Sequence, residues 1–248
     1  MSDDISVSSI EELISALSQL SNWEIKWYRG QGNKDWNLIP IFLRQNARTS
    51  EKTIVNRFMQ NASMLLENKP NTYFDWMFLM QHYGVPTRLL DWSESPLVAL
   101  YFAVQGHKEE DGALWILDPI LLNSSSNVKR EGELDFIPSF EDKYLTTYTF
   151  QAMEDTPHII LKPLATIATR NNVRIQAQQG VFTIHQLDKT PIDELYEKNH
   201  VRKIIIKKEA KEQILGDLKL LGFGRFQLFP ELASIGELVS GAIKYELH

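Results

Sequence analysis

The stretch Gln81-His82-Tyr83-Gly84-Val85-Pro86-Thr87-Arg88-Leu89-Leu90-Asp91-Trp92-Ser93 brings an amide, an imidazole, a phenol, a guanidinium and a carboxylate into one short connection. The imidazole and carboxylate can hold or move protons, and a guanidinium can grip a phosphate or a second carboxylate through paired N–H donors. Apolar segments flank the connection on both sides. Polar groups squeezed between buried elements must pair, because one left unpaired costs about 1–3 kcal/mol. Arg29 adds a guanidinium upstream, directly before Gly30-Gln31-Gly32, where two glycines permit a sharp exit and close backbone approach. Two readings stand side by side. In one, Arg88 bonds Asp91 or the carbonyls of the preceding helix and His82 merely packs its ring. In the other, the polar groups converge on a cleft and form a site.

The elements that must position these residues follow from periodicity. Ser9-Ile10-Glu11-Glu12 has the form of a capping box, and Ile10, Leu13, Ile14, Leu17 and Leu20 follow at helical spacing. Trp23 to Tyr28 alternates as a strand that ends at Arg29-Gly30. Glu51 to Glu67 predicts a helix with Ile54, Phe58, Ala62 and Leu65 on one face. Pro70-Asn71-Thr72 opens a second helix, through Phe74, Met77 and Phe78, which stops at Tyr83-Gly84-Val85-Pro86. Ser95-Pro96 starts a third, and because Leu97 to Val104 is apolar all round, that helix should be central. On this reading 81–93 is the link between the second and third helices.

Downstream, Gly112 to Leu117, Gly180 to His185 and Val201 to Lys207 read as strands, while Asn123 to Thr156 shows no clear period. Ala210, Ile214, Leu215 and Leu218 form a helical face closed by Gly222. Pro230 starts a last helix, with Leu232, Ile235, Leu238 and Val239 facing inward. There is no convincing linker and no internal repeat. The pattern predicts a single α+β domain over 1–248, with helices concentrated in the N-terminal half around a mixed or antiparallel sheet, rather than a doubly wound parallel sheet.

Composition excludes several chemistries. Of 248 residues, 43% are hydrophobic and 23% charged, an ordinary globular balance, and the net charge of −6 argues against binding nucleic acid by bulk charge. The absence of cysteine removes disulfides, thiolate metal sites and cysteine nucleophiles, and fits a reducing compartment. The N-terminal sequence lacks the form of a signal peptide and no stretch approaches a membrane span, so the expectation is cytoplasmic, with no membrane partner. There is no phosphate loop, dinucleotide fingerprint or serine elbow, and the six histidines show no metal-ligand spacing.

Tyr28-Arg29-Gly30-Gln31 resembles the Phe-Arg-Gly signature of the FRG-domain family, with tyrosine in place of phenylalanine. Gln81 to Ala103 is similar to that family's longest motif. Arg174 with Gln178-Gln179-Gly180-Val181-Phe182 resembles its third, and Leu228-Phe229-Pro230-Glu231-Leu232 its closing one, where the family usually has aspartate in place of Glu231. The similarity runs from about Trp23 to Leu238. The family is widespread in bacteria and has no generally assigned activity, so the resemblance bears on fold more than on function.

A looser resemblance is to ADP-ribosyltransferases, in which an arginine on a first strand holds NAD, a serine-bearing strand shapes the pocket and a glutamate on a third polarises the ribose. By position Arg29 would hold the pyrophosphate, Asp91-Trp92-Ser93 would wall the pocket, and Gln178 or Gln179 would stand where the glutamate does. Glutamine lacks the charge that stabilises an oxocarbenium-like transition state, so Asp91 would have to supply it, or the pocket binds without transferring. This resemblance implies Asp91, Arg88 and Gln179 as catalytic candidates, and Arg29, Gln31, His82, Ser93, Arg174 and Gln178 as ligand-binding ones. No metal is implied; NAD or another nucleotide is the candidate ligand or cofactor. If a site exists, Arg29, His82, Arg88, Asp91 and at least one of Arg174, Gln178 and Gln179 should line one cleft. A nucleotide-processing enzyme, a non-catalytic nucleotide or anion binder, and a structural or interaction domain all remain open, as does the oligomeric state.

Overall fold

A computed structural model describes residues 5–20, 23–44, 49–66, 69–133, 135–168 and 172–242. The chain opens with strand β1 (Ile5–Val7) and helix α1 (Ile10–Gln19), capped as expected by the Ser9 hydroxyl, which accepts from the Glu12 amide. Strand β2 (Trp27–Gln31) leads through the short α2 (Ile41–Arg44) to α3 (Glu51–Ala62) and α4 (Tyr73–His82). Strand β3 (Leu89–Ser93), α5 (Pro96–Val104), β4 (Gly112–Leu117) and α6 (Pro119–Ser125) follow. The remainder comprises α7 (Lys143–Thr146), α8 (Phe150–Asp155), β5 (Leu164–Thr166), α9 (Val173–Ala177), β6 (Gly180–Ile184) and β7 (Val201–Ile206). It ends with α10 (Lys211–Leu220), α11 (Arg225–Leu228) and α12 (Leu232–Ala242).

The strands form one mixed sheet in the order β1-β7-β4-β2-β3-β6-β5, parallel only between β1 and β7. The fold is therefore α+β around a mixed sheet. Strands are spread along the whole chain, and β1 at residue 5 joins β7 at residue 204. Alternation along β4 shows how the two faces divide: Leu114 and Ile116 pack with α1, α5 and α10, while Ala113, Trp115 and Leu117 pack with Trp27, Leu90 and Trp92. On the first face, beyond β2, a third cluster joins Phe74 and Met77 of α4 to Leu89, Phe182 and Ile184.

α5 is the central helix its apolar sequence predicts, with Val98, Ala99, Leu100, Tyr101, Ala103 and Val104 all buried. It lies so close to β2 that a Cβ built on Gly30 would stand 1.8 Å from the Ala99 carbonyl oxygen. The glycine of Tyr-Arg-Gly is thus required by a helix–strand approach that no side chain could share.

Several expectations need correction. The first strand starts at Trp27 and runs through the Tyr-Arg-Gly-Gln motif rather than ending at it, because the ladder with β4 continues to Gln31↔Ala113. The helix at 51 ends at Ala62; Glu67 lies outside the described residues. Leu89–Ser93, read as a link, is a strand pairing with β6 along its full length. In α12, Leu232 is 86% exposed and Ile235 and Val239 also reach solvent, so this face does not turn inward, while the Leu238 side chain lies outside those described. No helix among the described residues is long and apolar enough to cross a membrane.

Candidate functional site

On the first face of the sheet, α4 and α5 part over β2, β3 and β6 and leave a cleft of about 230 Å³. Val98, Ala99 and Phe102 of α5 form one wall, and Phe78, Gln81 and His82 of α4 another. Arg174, Ile175 and Gln178, in and just after α9, close a third side.

The cleft exists because β2 and β3 splay apart. β2 pairs with β4 over all five of its residues but with β3 only at Tyr28↔Ser93. The Asp91 carbonyl is claimed instead by Arg29, whose Nη1 donates to it at 2.6 Å. That is the only hydrogen bond of the Arg29 guanidinium among the described residues. Among the described residues its buried Nε has no partner, and no carboxylate comes within ion-pairing distance. Burial lowers its pKa to about 10, with Asp91 working upward and Arg44 downward, so it stays charged at neutral pH. Arg29 pairs in register with Trp115, so its side chain leaves β2 on the face away from α5 and meets the cleft only through the splay, where a half-buried cation with an unused donor is suited to an anion.

Asp91 pairs across the sheet with Phe182, so its side chain shares that residue's face, opposite Leu90 and Trp92. Its Oδ2 accepts from Gln81 Nε2 at 2.8 Å, and the amide is oriented in turn by the Thr87 hydroxyl, which donates to Gln81 Oε1. Thr87 is itself fixed by the Leu89 amide, which donates to its Oγ1 at 3.1 Å. Asp91 Oδ1 has no hydrogen-bond partner among the described residues and could accept from a hydroxyl or an amine. Sequence reasoning singled out the motif but not this Gln81–Thr87 relay. The signal was present: Gly84, at φ +73° after α4, turns the chain back so that Thr87 can reach Gln81.

The remaining polar lining is committed elsewhere. Ser93 donates its hydroxyl to the Gln178 carbonyl at 2.7 Å and accepts from the Ser95 amide at 3.0 Å, tying β3 to the turn before β6. Arg174 donates to the His82 carbonyl at 3.1 Å and lies 4.6 Å from the centre of the Phe229 ring. Gln178 donates its amide to the Leu228 carbonyl at 3.0 Å. Burial lowers the His82 pKa, Arg174 adds to this and Glu231, 3.7 Å away, opposes it; the imidazole is neutral at pH 7. Among the described residues no group of His, Asp and Glu could hold a metal ion.

Three sequence candidates fall outside the cleft. Arg88, 1% exposed, pairs with Glu51 at 2.8 Å rather than with Asp91, and also donates to the carbonyls of His185 and Tyr148. Burial works against its charge, and Glu51 and Tyr73 more than offset it, holding the pKa above its ordinary value. Gln31, on the same face of β2 as Arg29 but beyond the splay, is buried against Trp115, and its Oε1 accepts from Trp115 Nε1 at 2.8 Å. Gln179 sits at φ +47° between α9 and β6, and this left-handed turn leaves its side chain exposed rather than in the cleft. Arg29, His82, Asp91, Ser93, Arg174 and Gln178 do come together around it.

The family model of the FRG domain matches residues 24–112, a stretch that holds β2, α4, β3 and α5 and with them Arg29, Gln81, His82, Asp91 and Ser93. The chain carries an FRG domain. No curated protein and no solved structure matches the chain.

Proposed function

We propose that the cleft binds an anionic ligand of the nucleotide class. The observation that carries this reading is Arg29: a charged, half-buried guanidinium at the splay of β2 and β3, with an unused Nε and no carboxylate partner among the described residues. The walls suit the rest of such a ligand, since Phe78, Phe102 and Phe182 offer apolar surface for a ring and Asp91 Oδ1 an acceptor for sugar hydroxyls. At about 230 Å³ the space falls below the roughly 300 Å³ at which ordinary ligand pockets begin, so a dinucleotide would place only part of itself inside.

A second reading, bond cleavage at the sugar as in ADP-ribosyltransferases, is favoured by one observation. The strand carrying the arginine, the strand carrying the serine and the third strand that this resemblance requires fall on β2, β3 and β6, which are adjacent in the sheet. Gln178 is held by Leu228 and Gln179 is exposed, so on this reading Asp91 supplies the negative charge for the developing oxocarbenium ion.

Melting with a panel of AMP, ADP-ribose and NAD tests the first reading. A ligand present at about a hundred times its Kd stabilises by roughly 2.7 kcal/mol through mass action. A rise in melting temperature with one of the three that is absent in Arg29→Ala supports the reading, and no shift at millimolar ligand refutes it. Release of nicotinamide from NAD, abolished by Asp91→Asn, would then separate turnover from binding.

A further inference from the structure

We infer that Leu228–Glu231 is a positioning segment for the cleft, holding Arg174 and Gln178 in the orientations in which they meet a ligand and setting a carboxylate beside His82; the inference rests on the cleft being a ligand site. Two of its four consecutive residues each take hold of a different lining residue, and a third faces another. The Leu228 carbonyl accepts from Gln178 Nε2 at 3.0 Å, the Phe229 ring lies beneath the Arg174 guanidinium at 4.6 Å, and Glu231 Oε1 is 3.7 Å from His82 Nε2. Phe229 also meets Phe102 of α5 edge to face, ring centres 5.9 Å apart, so one ring braces two walls.

None of these four residues lines the cleft itself, so whatever they contribute passes through the side chains they hold. The backbone explains how they reach so many partners. α11 ends at Leu228, Phe229 leaves helical geometry at φ −128° and ψ 75°, and Pro230 cannot donate a helical hydrogen bond. The chain therefore turns tightly out of α11, the Glu231 amide donating to the Phe229 carbonyl at 2.8 Å, before α12 begins.

Arg174 needs such a brace. α9 is a single short turn of five residues, with Val173 exposed beside it, and a long cationic side chain there would otherwise sample many rotamers in water. Stacking on Phe229 and donation to the His82 carbonyl restrict it before any ligand arrives, which reduces the ordering cost of binding. It follows that the stretch matched by the FRG model, 24–112, does not complete the cleft: α9 and its brace lie more than sixty residues further on.

The experiment uses the full chain, with Phe229→Leu, which keeps apolar bulk but removes the aromatic face, and Glu231→Gln, which should fold even if the first does not. Three readouts are taken: NMR titration of the His82 imidazole, modification of Arg174 by an arginine-specific dicarbonyl followed by mass spectrometry, and calorimetric titration with ADP-ribose. Glu231→Gln is expected to lower the His82 pKa, since the carboxylate it removes pulls that pKa up. Phe229→Leu is expected to expose Arg174 to modification while Arg88 stays protected, and to weaken ADP-ribose binding about tenfold. Unchanged His82 titration and Arg174 reactivity in folded variants would overturn the inference, as would lost affinity without change in either group. If wild type binds no ADP-ribose while His82 and Arg174 respond as stated, the nucleotide reading fails and the positioning role stands.

Discussion

Arg29 and Arg88 sit in neighbouring motifs yet carry different loads. Among the described residues Arg29 makes one hydrogen bond, to a backbone carbonyl, and keeps a donor unused. Arg88 is the hub of a buried network that joins Glu51 of α3, Tyr73 of α4 and the carbonyls of Tyr148 and His185. Arg29→Ala is expected to cost about 1 kcal/mol in denaturant unfolding, the loss of one hydrogen bond, and to remove ligand binding. Arg88→Ala should cost about 3–5 kcal/mol, because it strands the Glu51 carboxylate among buried groups. A reversed ranking in urea melts would contradict these assignments. The motif was legible in the sequence, but the partner of Arg88 was not. Read as a turn, residues 88 and 91 fall side by side; in the extended chain that enters β3, residues three apart point to opposite faces. The true partner lies 37 positions upstream, beyond any local pattern.

Among the elements, the β2–α5 contact sets the geometry of the site, since β2 carries Arg29 and α5 forms a wall. A Cβ at position 30 would meet the backbone at Ala99 O, 1.8 Å away, and Ala103 N, 2.6 Å away, and neither can give as a flexible side chain would. Gly30→Ala is therefore expected to destabilise at or above the upper end of the roughly 1–3 kcal/mol typical of overpacking. Gly216→Ala, on the open face of α10 where nothing lies within 4 Å, should stabilise by about 0.5–1 kcal/mol. Thermal unfolding of the two variants gives opposite signs if the approach is as described. Long periodic helices and the all-apolar β4 were readable, because burial on one face or on both leaves a clear pattern. β3 was hidden: one exposed aspartate among buried neighbours in a five-residue strand resembles a polar link. The outward face of α12 could not be read either, since periodicity marks an apolar stripe and not what covers it.

For the whole molecule, one sheet ties the first described strand to the last, and burial of titratable groups within it makes stability depend on pH. Burial pushes His185, at the end of β6, down to about 3, against the upward pull of Thr190 and Asp188. An unfolded imidazole titrates near 6.5, so between about 6.5 and 3 the unfolded chain holds a proton that the folded chain refuses. Stability conferred by the neutral ring is present above about pH 6.5 and is lost as pH falls, by up to about 1.4 kcal/mol per unit. His200, also lowered by burial, adds in the same direction. Urea melts at pH 7, 6 and 5 should show this decline, and His185→Gln should flatten it by about one proton's worth; an unchanged slope would contradict the buried neutral histidine. Anion binding in the Arg29 cleft can be seen outright in a crystal structure of the chain soaked with ADP-ribose. Phosphate oxygens are expected within hydrogen-bonding distance of the Arg29 guanidinium and a ribose hydroxyl on Asp91 Oδ1. Ligand density only elsewhere on the surface, with the Arg29 cleft empty at saturating concentration, would contradict it.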